Sequence, residues 1–521
     1  MSQQQETIAI NPATGEEIGR SRVDSVEEVA AIVARARAAQ PGWAAAPVGE
    51  RVWAILRVRD YVAENAERLA EVIHRDNGKT RLDALATEVL PAAMGASYYA
   101  RHARRFLRPR RVAPGNLLLA NKRSRVHRVP WGVVGIISPW NYPLGIPFPE
   151  VVMALLAGNA VVLKTASQTQ MVGRALEDCF RAADLPEGVF HYVNLPGPAA
   201  GNALLAARID KLFFTGSVAV GKTLMAKAAE TLTPVCLELG GNDAMIVCAD
   251  ADLDRAAAGA VWAGMQNCGQ SCAGVERIYV EAPVYEPFLE ILAQKTRALR
   301  VGIDTDHHVD LGAMTTPSGV ETVRRHVDDA IAHGATIYAQ SPCPEEGPGN
   351  FLPAMVLCGV DHTMLVMREE TFGPVVGVMQ VADVDEAVRL ANDSQLGLSG
   401  SVWSRSRRNA RRIAGRIAAG TVTINDHLMS HGLHETPWGG FKQSGIGRTH
   451  GRIGFDEMTQ VQCVVDDLMP LCRKDLWWHP HGPGVYRGVL GLLEFLYGRG
   501  LGRRLRGLGR GVKTFLRTFR R

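Results

Sequence analysis

The 521-residue sequence has no run of about 18 apolar residues. It has no CxxC pair among its nine cysteines, and its start, MSQQQETIAI, has no basic stretch leading into an apolar one. The first absence argues against a membrane-spanning helix, the second against a redox or zinc-finger pair, and the third against a secretory signal. A cytoplasmic setting with free thiols is the expectation. Internal repeats and long low-complexity tracts are also missing, so solenoids and disordered scaffolds are not indicated. Apolar residues make up 46% and charged residues 21%, an ordinary globular balance for a chain long enough to form about three domains.

The net charge of +5 is unevenly spread. From Gly484 to Arg521 there are ten Lys/Arg and one Glu, a balance of +9, which leaves −4 for the rest. Such a mildly acidic body does not point to nucleic-acid binding.

Apolar residues at helical spacing mark Val26–Ala45 and Arg51–Asn77, and Asn121–Arg128 reads as an edge strand. Short apolar runs then alternate with helical patterns: Gly132–Ser138, Ala160–Lys164, Gly188–Asn194 and Lys211–Phe214. A second series runs through Ala244–Val247, Arg277–Val280, Val375–Gln380, Ser399–Ser404 and Gly420–Asn425. That rhythm predicts βαβ units and mostly parallel sheets, with a domain change near Leu239-Gly240-Gly241.

Four segments carry chemistry. Glu238-Leu239-Gly240-Gly241 puts a carboxylate beside glycines that let a ligand approach the backbone, or is a plain turn with a solvated Glu. Gln266–Arg277, QNCGQSCAGVER, flanks Cys272 with small residues, as a thiol open to substrate needs; a buried structural cysteine is the plainer reading. A Cys268/Cys272 metal pair has no matching second pair, so no metal site is expected. In Ile137–Leu144, ISPWNYPL, Asn141 can aim a side-chain N–H into a cleft or simply form a turn. Phe214–Thr223, FTGSVAVGKT, reads as a strand, a Gly-x4-Gly turn and a helix start suited to phosphate. It also fits a P-loop, which keeps an ATPase in view.

Together these segments resemble the aldehyde dehydrogenase superfamily, non-acylating type, over about Ile8–Val464. The resemblance implies Cys272 as nucleophile, Glu238 as general base and Asn141 as oxyanion donor. It implies Ser138, Trp140, Lys164, Ser167, Gly216, Ser217, Gly221, Gly240, Glu370 and Phe372 around NAD or NADP. Pro437–Arg448, PWGGFKQSGIGR, resembles the family's C-terminal Gly-rich signature. The implied fold is α/β, with a Rossmann-like cofactor domain (8–115 and 129–238), a catalytic domain (239–437) and an oligomerisation arm (116–128 and 438–464) of a homodimer or homotetramer. The implied reaction oxidises an aldehyde to its acid. Glu238 argues against transfer to coenzyme A, and the intact Cys272, Glu238, Asn141 and Lys164 argue against a non-enzymatic membrane-bound scaffold.

The sequence departs from the family at several points. Ser167 stands where a ribose-binding Glu is common, which removes a charge that repels the 2′-phosphate of NADP. Asn242 and Thr449 replace Lys and Glu of the common pattern. Tyr142, Ile146, Phe148 and Pro149 are expected near the substrate mouth and favour a hydrophobic aliphatic or aromatic aldehyde.

Residues 467–521 extend past the resemblance. From Leu490 an apolar stripe at 490, 493, 497, 501, 505, 508, 512, 515 and 519 alternates with Arg499, Arg503, Arg506, Arg510, Lys513, Arg517 and Arg520. A basic amphipathic segment suits peripheral contact with an anionic membrane. Its many glycines oppose a helix and leave a flexible tail or docking arm as alternatives.

Overall fold

The computed structural model describes residues 5–344, 347–469, 472, 474, 475 and 477–519. Two compact units emerge, one comprising the chain up to Leu107 and Val129–Gln460, the other Arg108–Arg128 with the described residues from Val461 onward.

Both expected sheets lie in the first unit. Val133–Ile137 is buried at every position, and Ala160–Lys164 likewise, as strands covered on both faces must be. Six strands run in the spatial order Gly445–Ile446, Val235–Glu238, Lys211–Thr215, Val133–Ile137, Ala160–Lys164 and Phe190–Tyr192. All neighbours are parallel except Gly445–Ile446, which pairs antiparallel with the strand bearing Glu238. The second sheet orders Thr336–Gln340, Met355–Cys358, Val375–Val381, Val275–Glu281, Asp243–Val247, Ser399–Trp403 and Thr421–Ile424. Only Thr336–Gln340 is antiparallel to its neighbour. The chain passes from one sheet to the other between Glu238 and Asp243.

Helices cover the sheets. Val26–Ala45 starts at a capping box, in which Ser25 accepts from the Glu28 N–H and Glu28 accepts from the Ser25 N–H. The pattern read as one helix over Arg51–Asn77 is two helices, Val48–Glu64 and Ala66–Asn77. The break falls at Asn65, whose side chain donates to the Tyr61 carbonyl at 2.9 Å and so competes with the helical ladder. Helix Pro147–Ala157 is buried on all sides. Phe148 therefore lies in the core, 5.4 Å from the Phe180 ring centroid, and not at a substrate mouth.

The P-loop reading fails on geometry. Helix Val218–Ala229 begins directly after Ser217, which caps it by accepting from the Val220 N–H, so Gly221 sits inside its first turn rather than in a phosphate loop. Lys222 donates to Gln443 at 2.8 Å.

In the second unit, Lys122–Pro130 is the middle strand between Thr459–Asp467 and Arg110–Val112. Residues 438–460, expected in the arm, group with the first unit, where Trp438 is buried. The tail is not one stripe-bearing helix. It is a hairpin of two helices, Pro483–Tyr497 and Leu501–Phe515, because Gly498 and Gly500 break the helical run. Arg520 lies outside the described residues, as do the side chains of Arg517 and Phe519.

Candidate active site

Strand ends of the two sheets converge on a cavity of about 210 Å³. Of the residues singled out from the sequence, Trp140, Asn141, Gly216, Ser217, Glu238, Gly240, Cys272, Glu370 and Phe372 line it. Ser138, Lys164, Ser167 and Gly221 are not in its lining. Ser138 is buried and donates its N–H to the Lys164 carbonyl at 2.9 Å. Lys164 is buried at the end of its strand, and burial depresses its ammonium to about 8. Ser167 opens the short turn after that strand and is half-exposed. Gly221 packs beneath Leu239.

Cys272 sits in the loop between helix Leu253–Met265 and strand Val275–Glu281 and is half-buried. Just before it, Asn267, Cys268 and Gly269 all adopt positive φ, at 53°, 54° and 68°. Two successive non-glycine residues in this region are held by the surroundings. The Asn267 side chain donates to the Asn141 carbonyl at 2.9 Å, and the Cys268 thiol to the Gly312 carbonyl at 3.1 Å. Burial, then the carboxyls of Glu370, Asp243 and Glu238, push the Cys272 thiol up.

Asn141 is buried, and its amide nitrogen donates to the Gln270 carbonyl at 3.1 Å, directed at the loop carrying Cys272. Glu238 ends its strand with both carboxylate oxygens buried and without hydrogen-bond partners among the described residues. Burial, then the neighbouring Glu150 carboxyl, raise it well above the usual carboxylate range. Gly439, with φ +146°, passes so close that a Cβ there would lie 2.8 Å from Glu238 Oε1.

A smaller chamber of about 20 Å³ opens on the far side of Cys272 and Glu238. Ile146, Leu239, Leu398 and Trp438 supply its apolar wall, and Glu150, Thr215, His431, Thr449 and His450 complete it. Among the described residues, no lysine or arginine lines either space.

The larger cavity suits a dinucleotide. The helix N-terminus at Ser217 offers backbone N–H groups, the usual partner of a phosphate. Glu370 accepts from the Gly241 N–H at 3.0 Å, and a Cβ on Gly240 would collide with its other oxygen. Burial lifts Glu370 to about 7. Phe372, at φ 53°, meets Trp140 edge to face at 5.5 Å.

Several positioning residues carried no recognisable sequence signal. Glu276 accepts from the backbone N–H groups of Thr371 and Phe372 at 3.0 and 2.9 Å, fixing the turn that presents Glu370. Asn77 donates to the Trp140 carbonyl at 2.8 Å. Ser444 donates to the Gly240 carbonyl at 2.7 Å and accepts from the Gly397 N–H at 2.9 Å.

A helix end that offers backbone N–H groups, a carboxylate near an aromatic ring, and a cysteine and a buried glutamate thus meet at one cavity. The chain belongs to the aldehyde dehydrogenase family, whose model matches residues 1–464. A 4,4′-diapolycopene aldehyde oxidase from Methylomonas sp is 40% identical over 490 residues, 94% of this chain and 91% of the relative. The NAD-dependent aldehyde dehydrogenase of Sinorhizobium meliloti superposes with a TM-score of 0.86 at 35% identity, over 91% of this chain and 93% of that one. The succinate-semialdehyde dehydrogenase of Burkholderia pseudomallei gives 0.85 at 34% identity, over 89% and 95%. The protein is thus an NAD(P)-dependent aldehyde dehydrogenase.

Proposed function

We propose that the enzyme oxidises an apolar aldehyde to the free carboxylic acid through a covalent Cys272 intermediate. The observation carrying this reading is that Cys272, Glu238 and Asn141 line one cavity together with Glu370, Phe372 and the Ser217 helix end. Glu238 takes the thiol proton, and the Cys272 sulfur attacks the aldehyde carbon. The Asn141 side-chain N–H and the Cys272 backbone N–H hold the resulting oxyanion. Bound nicotinamide supplies a hydride acceptor. Once Glu238 has released the thiol proton to solvent, it is again a base, and the thioester left on Cys272 is hydrolysed by a water whose proton Glu238 takes. Lys164 and Ser167 border the adenosine end, and Ser167 leaves space and charge for NADP as well as NAD.

The apolar class rests on the Ile146, Leu239, Leu398 and Trp438 wall and on the lack, among the described residues, of a lining cation to pair a substrate carboxylate. A semialdehyde acid, the substrate in the Burkholderia relative's name, would bury an unpaired charge there. The 4,4′-diapolycopene aldehyde of the Methylomonas relative's name would not. We place the enzyme at a membrane periphery, where such substrates partition, with residues 467–521 as the attachment. We further propose a homodimer or homotetramer. Edge strand Thr459–Asp467 is exposed along nearly its whole length, with Val461, Val464 and Val465 uncovered, and can extend a neighbour's sheet.

The deciding experiment follows reduced-nicotinamide absorbance with NAD and NADP across aldehydes of increasing chain length. Turnover that rises with chain length and vanishes in Cys272→Ala is expected. Preference for short semialdehyde acids would overturn the substrate class, and turnover surviving in Cys272→Ala would overturn the mechanism.

A further inference from the structure

The C-terminal hairpin explains the glycines that oppose a single continuous helix. A Cβ on Gly488 would run into the Thr514 side chain, and one on Gly491 would meet Arg510 Cβ at 2.5 Å and the Gly507 carbonyl at 2.8 Å. A Cβ on Gly507 would lie 2.6 Å from the Phe495 nitrogen. The two helices thus approach at backbone distance along a small-residue seam, a packing common between helices in lipid. Thr514 adds a hydrogen bond to the Gly484 carbonyl at 3.3 Å.

This seam spends the small residues inward and leaves the large apolar ones outward. At the turn end of the hairpin, Tyr497, Leu501 and Leu505 are 70%, 78% and 60% exposed. Leu493, one turn back, is 57% exposed. Arg499, Arg503, Arg504 and Arg506 surround them, all exposed. Glu494 is the lone acid of either helix, and Arg503 and Arg510 already pair with it at 3.5 and 3.3 Å. A soluble tip has no reason to expose four large apolar side chains within thirteen residues.

We propose that this hairpin tip docks in the headgroup layer of an anionic bilayer. Tyr497 and the leucines enter the acyl boundary, and the arginines contact lipid phosphate and carboxylate groups. Charge selects the occupant: the +9 balance from Gly484 to Arg521 repels a second copy of the same tip and attracts an anionic surface. Length selects the mode: no helix among the described residues is long and apolar enough to cross a membrane, so the hairpin lies at the interface. Tyrosine is suited to that depth, with an apolar ring and a wet hydroxyl. The proposal deepens the reading of the substrate as a membrane-dissolved aldehyde, and its test is separate from turnover.

The full-length enzyme is sedimented with phosphatidylcholine vesicles, with and without phosphatidylglycerol. The wild type is expected to pellet only with the anionic vesicles, and less as salt rises. Tyr497→Ser/Leu501→Ser/Leu505→Ser should remain in the supernatant. Arg499→Gln/Arg506→Gln should partition about thirtyfold more weakly. All positions are surface-exposed, and turnover of a short water-soluble aldehyde serves as the folding control and should match wild type. Failure of the wild type to bind, binding indifferent to lipid charge, or variants that bind like wild type overturn the proposal. A change in oligomeric state of the apolar variant without vesicles would assign the tip to a second copy instead, and also overturns it. Binding by an enzyme that oxidises no aldehyde would leave the docking intact and sink the catalytic reading alone.

Discussion

Lys79 and Glu88 form a fully buried ion pair at 2.6 Å, and their remaining hydrogen bonds hold the turn that carries Asn141. Lys79 also donates to the Asn141 carbonyl at 2.8 Å. The second Glu88 oxygen accepts from the Leu144 and Gly145 N–H groups at 2.8 and 2.9 Å. Glu88 reaches inward from a π-helical turn, Leu85–Val89, a distortion often found beside functional sites.

Removing one partner of such a pair strands a buried charge. Glu88→Ala should therefore lose about 3–5 kcal/mol of stability. It should also lower kcat on every aldehyde, because the Asn141 turn loses its anchor. Denaturant unfolding with parallel kinetics checks both; an unchanged midpoint would refute the structural role.

Cys272→Ala should abolish oxidation, and Cys272→Ser should leave at most about a thousandth of kcat, since the hydroxyl is a far poorer nucleophile. Cys268→Ala, four residues away, should keep most activity, because that thiol is buried and already donates to the Gly312 carbonyl. Equal losses in the two alanine variants would contradict the assignment of Cys272.

Glu238→Gln separates the two half-reactions. Hydrolysis should slow by about 10²–10⁴. With thiolate supplied at high pH, a single-turnover burst of reduced nicotinamide should persist. Because burial raises Glu238, the wild-type kcat should fall with decreasing pH at an acid limb well above the usual carboxylate range. A limb at an ordinary carboxylate pKa would disprove that environment.

Glu150 gives a pH-dependent stability. Burial lifts its carboxyl from 4.5 to about 8, so the folded protein binds this proton more tightly than the unfolded chain does. The stabilisation is complete below about pH 4.5 and is lost as pH rises through about 8. Glu150→Gln should flatten the fall of Tm across that window. An identical slope in variant and wild type would show that Glu150 is not the group responsible.

Ser167→Glu should raise the KM for NADP by about tenfold or more while leaving NAD nearly unaffected, through repulsion of the 2′-phosphate. Equal changes for both cofactors would place Ser167 away from the ribose.

The parallel strands were legible because short apolar runs between turn residues admit few other structures, and the site segments only through their joint resemblance to one family, since each alone also fits a turn or a structural cysteine. What stayed illegible is pairing at a distance. Glu276, Asn77 and Ser444 look like ordinary polar residues, and their partners lie 95, 63 and 204 positions away. The break at Asn65 was hidden because apolar periodicity continues on both sides of it. The tail misled in the same way: its stripe runs unbroken from Leu490 through Phe515, while Gly498 and Gly500 fold it back on itself.

The pairing of Gly445–Ile446 with the Glu238 strand has a consequence for biosynthesis. The proposed base and nucleophile are translated near mid-chain, at residues 238 and 272, but the strand that flanks Glu238 and the serine that ties Gly240 follow only near residue 446. A nascent chain therefore carries the thiol through about a third of its synthesis without a finished pocket around it. Competence arrives almost in one step, and a premature stop anywhere before that point yields an inert protein rather than a weakened enzyme.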